Sequence, residues 1–179
     1  MSPKMHKSLR IFVLGCSLFL FACESKNRVE NKVKIKNSDL KKPLLKANRG
    51  LVNKENAEID SYVLRRNWKM KQTGSGLRYR IYHQGNGANA EAGKFAFIKY
   101  KITLLNGTEC YRNLDKPERF LIDRDNVESG LHEGIKLLHV GDKATFILPP
   151  HLAHGLIGDR EKIPPLSTII YDVELVSIK

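Results

Sequence analysis

The sequence predicts an α+β domain in which antiparallel strands wrap one short helix, with a helical extension ahead of them. Three observations carry this. Apolar and polar residues alternate at 77–83, at 95–105 and around Asp172-Val173-Glu174 within 168–178, and a further strand run, 143–148, lies between a Gly-Asp turn and two prolines. Turn pairs, Asn106-Gly107 and Gly141-Asp142, punctuate the chain beside these runs. Two stretches, 53–67 and 127–138, show the three-to-four-residue apolar spacing of helices instead.

Asn53 is the N-cap candidate of the first helix, and Ile59, Tyr62, Val63 and Arg66 share one face. Trp68 and Met70 alternate, which predicts a short strand. Thr73-Gly74-Ser75-Gly76 is a turn, after which Leu77, Tyr79 and Ile81 share a strand face. The next strand, 95–105, has Phe95, Phe97 and Lys99 on one side and Ala96, Ile98, Tyr100 and Ile102 on the other. Asn106-Gly107 predicts a hairpin returning through 108–111. A separate short strand is expected at 119–122, after Pro117. The second helix presents Leu131, Ile135 and Leu138 on one face. Strands 143–148 and 168–178 complete the domain. Asp142 and Glu133 are expected to serve a turn and a helix surface.

The formal net charge of +12 is unevenly spread. Residues 1–80 hold 19 Lys/Arg against 6 Asp/Glu, whereas residues 81–179 hold 12 against 13. Residues 1–22 read as a signal peptide. Lys4, Lys7 and Arg10 precede the 12-residue apolar run 11–22, which is too short to cross a hydrocarbon core of roughly 30 Å. Leu20-Phe21-Ala22-Cys23 resembles a bacterial lipobox, which implies cleavage before Cys23 and acylation of its thiol. The other reading is an uncleaved signal anchor. Two acyl chains anchor a protein firmly where one binds only marginally. Cys16 would leave with the signal, so Cys110 has no partner for an intramolecular disulfide. Residues 23–50 read as a lysine-rich tether, either a solvated linker or a segment laid along anionic headgroups. Residues 51–76 form the helical extension and 77–179 the main domain. No aromatic residues interleave the lysines, which argues against a nucleic-acid partner.

The motifs of the C-terminal half are specific in combination. They are Phe97-Ile98-Lys99-Tyr100, the turn-strand run from Val140-Gly141-Asp142 to Pro149-Pro150, Ala153-His154-Gly155, Ile163-Pro164-Pro165 and Tyr171-Asp172-Val173-Glu174-Leu175. Together they resemble the FKBP-type peptidyl-prolyl cis-trans isomerases over residues 77–179. The resemblance implies an FKBP-like sheet around one helix and an isomerase that assists folding of exported or envelope proteins. It implies proline-containing polypeptides as substrates, and neither cofactor nor metal. It assigns the pocket to Tyr100, Tyr111, Phe120, Val127, Glu128, Leu131, His154, Ile163 and Tyr171. Glu128 stands where the family uses a backbone N–H for a substrate carbonyl.

Several positions depart from the family pattern. Cys110-Tyr111 replaces Phe-Asp, whose aspartate helps organise the site. Leu131 replaces a floor tryptophan, His154 a tyrosine and Tyr171 a phenylalanine, and Glu118 occupies a wall position. The expected result is a greasy pocket with a shallower floor, weaker polar organisation and reduced activity. The alternative is a catalytically weak module gripping proline-containing loops of an envelope partner. The run 107–111, with 126–134 and 151–155, looks like the gliding-motility-associated lipoprotein isomerases of Bacteroidota. That likeness implies a membrane-anchored, periplasm-facing protein.

Periodicity alone would also fit Tyr100, Phe120, Val127, Leu131, Ile163 and Tyr171 as ordinary core. His132, His139, His151 and His154 match no known metal-site spacing, and His132-Glu133 lacks the second histidine of a zinc protease motif. Cys110 reads as a small buried hydrophobe rather than a nucleophile.

Overall fold

The computed structural model describes residues 37–179. The signal peptide, Cys23 and the first part of the tether lie outside the described residues. Helix α1 (Asn37–Arg65) leads to strands β1 (Lys71–Gln72), β2 (Arg78–His83), β3 (Phe95–Leu104) and β4 (Glu109–Leu121). Helix α2 (Ser129–Ile135), β5 (Lys143–Leu148), a 3-10 turn at Pro150–Leu152 and β6 (Ile169–Ile178) follow. The six strands form one antiparallel sheet in the order β1-β2-β5-β6-β3-β4. The expected α+β class, an antiparallel sheet with one short helix and a helical extension ahead of it, is what the chain adopts.

Strand alternation divides the core in two, because successive side chains point to opposite faces. Phe146, Leu148, Ile169 and Tyr171 face α2, where Leu131 and Ile135 meet them. Ile147 and Ile170, one residue along, face α1 and pack on Ile59 and Tyr62. Gly134 permits the close approach of α2, since a Cβ there would lie 2.6 Å from the Phe146 ring. Beside α1, Trp68 meets the Tyr62 ring edge-on with centroids 5.7 Å apart. The Arg80 guanidinium stacks 4.0 Å over Trp68.

Four elements differ from expectation. Helix α1 begins at Asn37 rather than Asn53, so much of the expected tether is helical. Leu, Lys and Ala dominate residues 40–47, and these are strong helix formers. Their charge conceals that propensity, and residues 41–54 are all exposed. Strand β4 runs unbroken through Pro117 where two short strands were expected. Being at the sheet edge, it needs partners on one side only, and its pairing with β3 shifts register between Ile98–Glu118 and Tyr100–Asn113. Residues 114–117 bulge out there, which is where a strand tolerates proline. Trp68 and Met70 lie in a connection, with the short strand at Lys71–Gln72 instead. Helix α2 is also shorter than 127–138, because Leu137 and Leu138 donate to the carbonyls of Gly134 and Ile135 in a tighter closing turn.

Asp142 fixes the turn that leads into β5. The residue is 2% exposed, and its carboxylate accepts the Gly85 N–H at 2.6 Å and the His139 N–H at 2.8 Å. Gly141 beside it has φ +94°, and a Cβ on Gly85 would lie 2.2 Å from the Val140 carbonyl oxygen. Asp142→Ala would strand two part-buried backbone donors. We expect it to lower unfolding free energy by about 1–3 kcal/mol, measured by urea denaturation, with Asp142→Asn losing less.

Candidate functional site

Three adjacent strands and two connections shape one cavity. Ile102 on β3 pairs with Tyr111 on β4 and with Tyr171 on β6, so these three side chains lie abreast. Ile98 and Tyr100 share the Ile102 face by alternation. The start of α2 brings Val127, Glu128 and Leu131, and the β5–β6 connection brings Ala153, His154, Asp159 and Glu161. The cavity is about 610 Å³, the size of a site for a small ligand or a few residues of peptide. Ile98, Ile102, Phe120, Val127 and Leu131 make its apolar side.

Eight of the nine expected site residues line this cavity. Ile163 does not. It is buried in the core at 2% exposure, and its N–H donates to Asp159. Asp159, Glu161, Asp125 and Arg119 line the cavity without having been singled out, and Glu118 does so beside Phe120.

Every tyrosine in the site donates to a carboxylate. Tyr100 Oη donates to Glu118 Oε2 at 2.8 Å, and its ring stands 5.8 Å from that of Tyr171. Tyr111 Oη donates to Asp159 Oδ2 at 2.5 Å. Tyr171 Oη donates to Glu128 Oε2 at 2.9 Å, while His154 Nε2 sits 2.9 Å from Glu128 Oε1. The Glu128 side chain is 9% exposed, so its two oxygens are served by residues 171 and 154 rather than by water. Burial, then the Glu128 carboxylate, holds the Tyr171 phenol well above its usual range. Burial and the Glu118 bond raise Tyr100. The Asp159 bond, then burial, raises Tyr111. All three therefore remain donors at neutral pH.

These bonds correct the expected weak polar organisation. Asp159 organises the β5–β6 connection: its Oδ1 accepts the N–H groups of Glu161 and Ile163, both at 2.8 Å, while Oδ2 takes Tyr111. A sequence signal did exist. Gly158-Asp159 opens a turn, and aspartate often accepts backbone N–H groups just downstream.

The histidines go to separate places. The Asp123 N–H donates to His132 Nδ1 at 2.9 Å, which pins the β4–α2 connection beside Phe120. His151 Nε2 lies 2.9 Å from the Ser75 carbonyl oxygen. His139 lies by Asp142, and His154 alone enters the cavity. Cys110 is buried with its thiol directed at the Lys162 and Thr108 carbonyls, and burial pushes its pKa up.

The model of the family described as FKBP-type peptidyl-prolyl cis-trans isomerase matches residues 87–176. The chain belongs to the FKBP-type isomerase family. It is 36% identical over 110 residues to the isomerase FkpA of Aeromonas hydrophila, covering 62% of this chain and 41% of that protein. It is 34% identical over 110 residues to FkpA of Escherichia coli K12, covering 62% and 40%. The chain thus spans about two-fifths of the length of these curated relatives. The crystal structure of Escherichia coli FkpA superposes with a TM-score of 0.63 at 27% identity, covering 82% of this chain and 74% of the other. AtFKBP13 superposes at 0.59 with 29% identity, covering 63% and 100%.

Asp159 carries a pH consequence. Burial raises its pKa, but the Tyr111 hydroxyl and the Glu161 and Ile163 N–H groups outweigh that, lowering it from 3.8 to about 2. A depressed folded-state pKa stabilises the fold above the unfolded value, and the contribution fades as pH falls toward the folded one. The stability gap between the native chain and Asp159→Asn should therefore be full above about pH 5 and shrink toward pH 2. Chemical denaturation of both proteins across that range checks it.

Proposed function

We propose that the chain is a peptidyl-prolyl cis-trans isomerase acting on exported or envelope polypeptides. The observation that carries this is the cavity itself: one apolar side beside a set of fixed hydrogen-bonding groups, in a chain of the FKBP family. Rotation about an X–Pro bond meets a barrier of roughly 18–20 kcal/mol, because twisting breaks amide resonance. Uncatalysed, it takes tens to hundreds of seconds. The planar amide is more charge-separated than the twisted one. Withdrawing its carbonyl from water therefore favours the twisted form, and donors fixed in the twisted geometry add to this.

No nucleophile is needed. The proline ring sits against Phe120, Val127 and Leu131, with Tyr100 and Tyr171 as flanking walls. The Glu128 N–H has no acceptor among the described residues and serves the substrate carbonyl. The Glu128 side chain keeps Tyr171 and His154 in place around it.

One observation favours a second reading. Glu128 puts a buried carboxylate against the proline pocket, and Leu131 supplies a smaller floor than an aromatic ring. A module that binds proline loops without turning them over fits those residues too. A protease-coupled assay separates the two. On the catalytic reading the full chain accelerates isomerisation, and Tyr100→Leu lowers kcat/KM about tenfold, a barrier change of about 1.4 kcal/mol. Peptide binding with no rate above background leaves only the binding reading.

Residues ahead of the domain complete the proposal. The lipobox at Cys23 anchors the chain to a membrane on its periplasmic side, and the likeness to gliding-associated lipoproteins makes envelope machinery a candidate partner. The support is sequence pattern. Cys23→Ser should move the protein from the membrane to the soluble fraction, and unchanged fractionation would refute the anchor.

A further inference from the structure

The charges around the cavity are lopsided. Glu118, Asp125, Glu128, Asp159 and Glu161 line it, against Arg119 and His154. The two cationic candidates are engaged: Arg119 stacks 4.7 Å over Phe95, and His154 contacts Glu128. Among the described residues, Glu118, Asp125, Asp159 and Glu161 form no ion pair with lysine or arginine. Lys162, nearby, lies 4.8 Å over the Tyr111 ring. The carboxylates take hydrogen bonds from neutral groups: Tyr100 and Asn113 for Glu118, Tyr111 and two N–H groups for Asp159, and the Leu121 N–H for Asp125.

A neutral donor satisfies an oxygen's lone pairs but does not cancel its charge. The field of these carboxylates therefore reaches into the cavity, and low-dielectric walls focus it. Glu118 and Glu161 stand exposed at the rim, one on the β4 side and one on the β5–β6 connection. A bound chain passing between them leaves the apolar side with a neighbouring residue beside at least one of them.

We infer that the cavity selects prolines flanked by lysine or arginine, and disfavours those flanked by glutamate or aspartate. This rests on the proline-peptide reading of the cavity and names the substrate class for it. Glu118 and Glu161 are the specificity-determining residues. Tyr100, Tyr111 and the apolar side receive the proline whatever its neighbours.

The test uses the full chain and three dye-labelled peptides of common sequence, with Lys, Gln or Glu immediately before proline, and a second set with those residues immediately after. Binding is read by fluorescence anisotropy and turnover by the protease-coupled assay. In at least one set, Lys should bind about tenfold more tightly than Glu at low salt, with Gln between. That ratio should collapse toward one in ~0.5 M salt, where the Debye length is only a few ångströms. It should also narrow in the Glu118→Gln/Glu161→Gln double variant, in which the amide oxygen at 118 still accepts from Tyr100 and Tyr111 keeps its bond to Asp159. Equal binding, a preference for Glu, or a Lys preference indifferent to both salt and the double substitution overturns the inference. Lys-selective binding without turnover upholds the selectivity and removes the isomerase reading. Turnover of every peptide at one rate with equal affinity does the reverse. Failure of all the peptides to bind removes both.

Discussion

Strand β3 is hydrogen-bonded on both sides, and its register decides which residues meet. Ile102 is the reference point, opposite Tyr111 in one direction and Tyr171 in the other. A slip of one residue would turn Ile98, Tyr100 and Ile102 to the other face and dismantle the cavity wall. The register is held from both faces. On one, Ile98 and Ile102 belong to the core closed by α2. On the other, α1 packs on Ile170 of the adjacent β6 and on Ile147 of β5 beyond it. The hairpin turn supports it locally, with Gly107 at φ +91° and the Thr108 N–H donating to Asn106 Oδ1 at 2.9 Å. The helix outside the sheet thus contributes to the site without touching it.

Placing carboxylates around an apolar cavity has an energetic difficulty, since a buried charge without partners costs several kcal/mol. The chain answers with hydroxyl and N–H donors, and no buried side-chain polar atom among the described residues lacks a hydrogen-bond partner. Tyrosine suits this role because its ring contributes wall area while its hydroxyl reaches the oxygen. One residue type therefore shapes the cavity and satisfies its acids. Lysine partners would have satisfied them too, but would have neutralised the field that reaches the ligand.

Local pattern revealed the strands and the hairpin well, because β2 and β3 alternate, β5 and β6 are short apolar runs beside clear turn residues, and Asn106-Gly107 is unambiguous. The first half of α1 was hidden by its lysines, whose charge suggests a solvated tether although the same residues favour helix. Strand β4 was hidden by Pro117, which only an edge position with a bulge accommodates. The site divides likewise. Residues carried by recognisable motifs, such as Tyr100, Val127, His154 and Tyr171, could be named beforehand. Ile163 belonged to such a motif yet packs inward, so its neighbourhood was legible and its direction was not. Asp159 could not be tied to Tyr111 from sequence, since 48 positions separate them and only the folded loop brings them together.

That pair alters the meaning of the departure at Cys110-Tyr111. Judged alone, the loss of an aspartate from the β3–β4 hairpin removes an organising carboxylate from the site. In the folded chain a carboxylate is present, contributed by the β5–β6 connection, and Tyr111 is its donor. An aspartate returned to position 111 would face Asp159 and Glu161 with no hydroxyl to bridge them, and like charges at such range repel. Tyrosine at 111 and aspartate at 159 therefore depend on each other. The same holds for Glu128, which needs Tyr171 and His154 together to satisfy both its oxygens. The polar residues of this cavity form two interlocking sets, and changing one member of a set leaves an unpaired polar group behind.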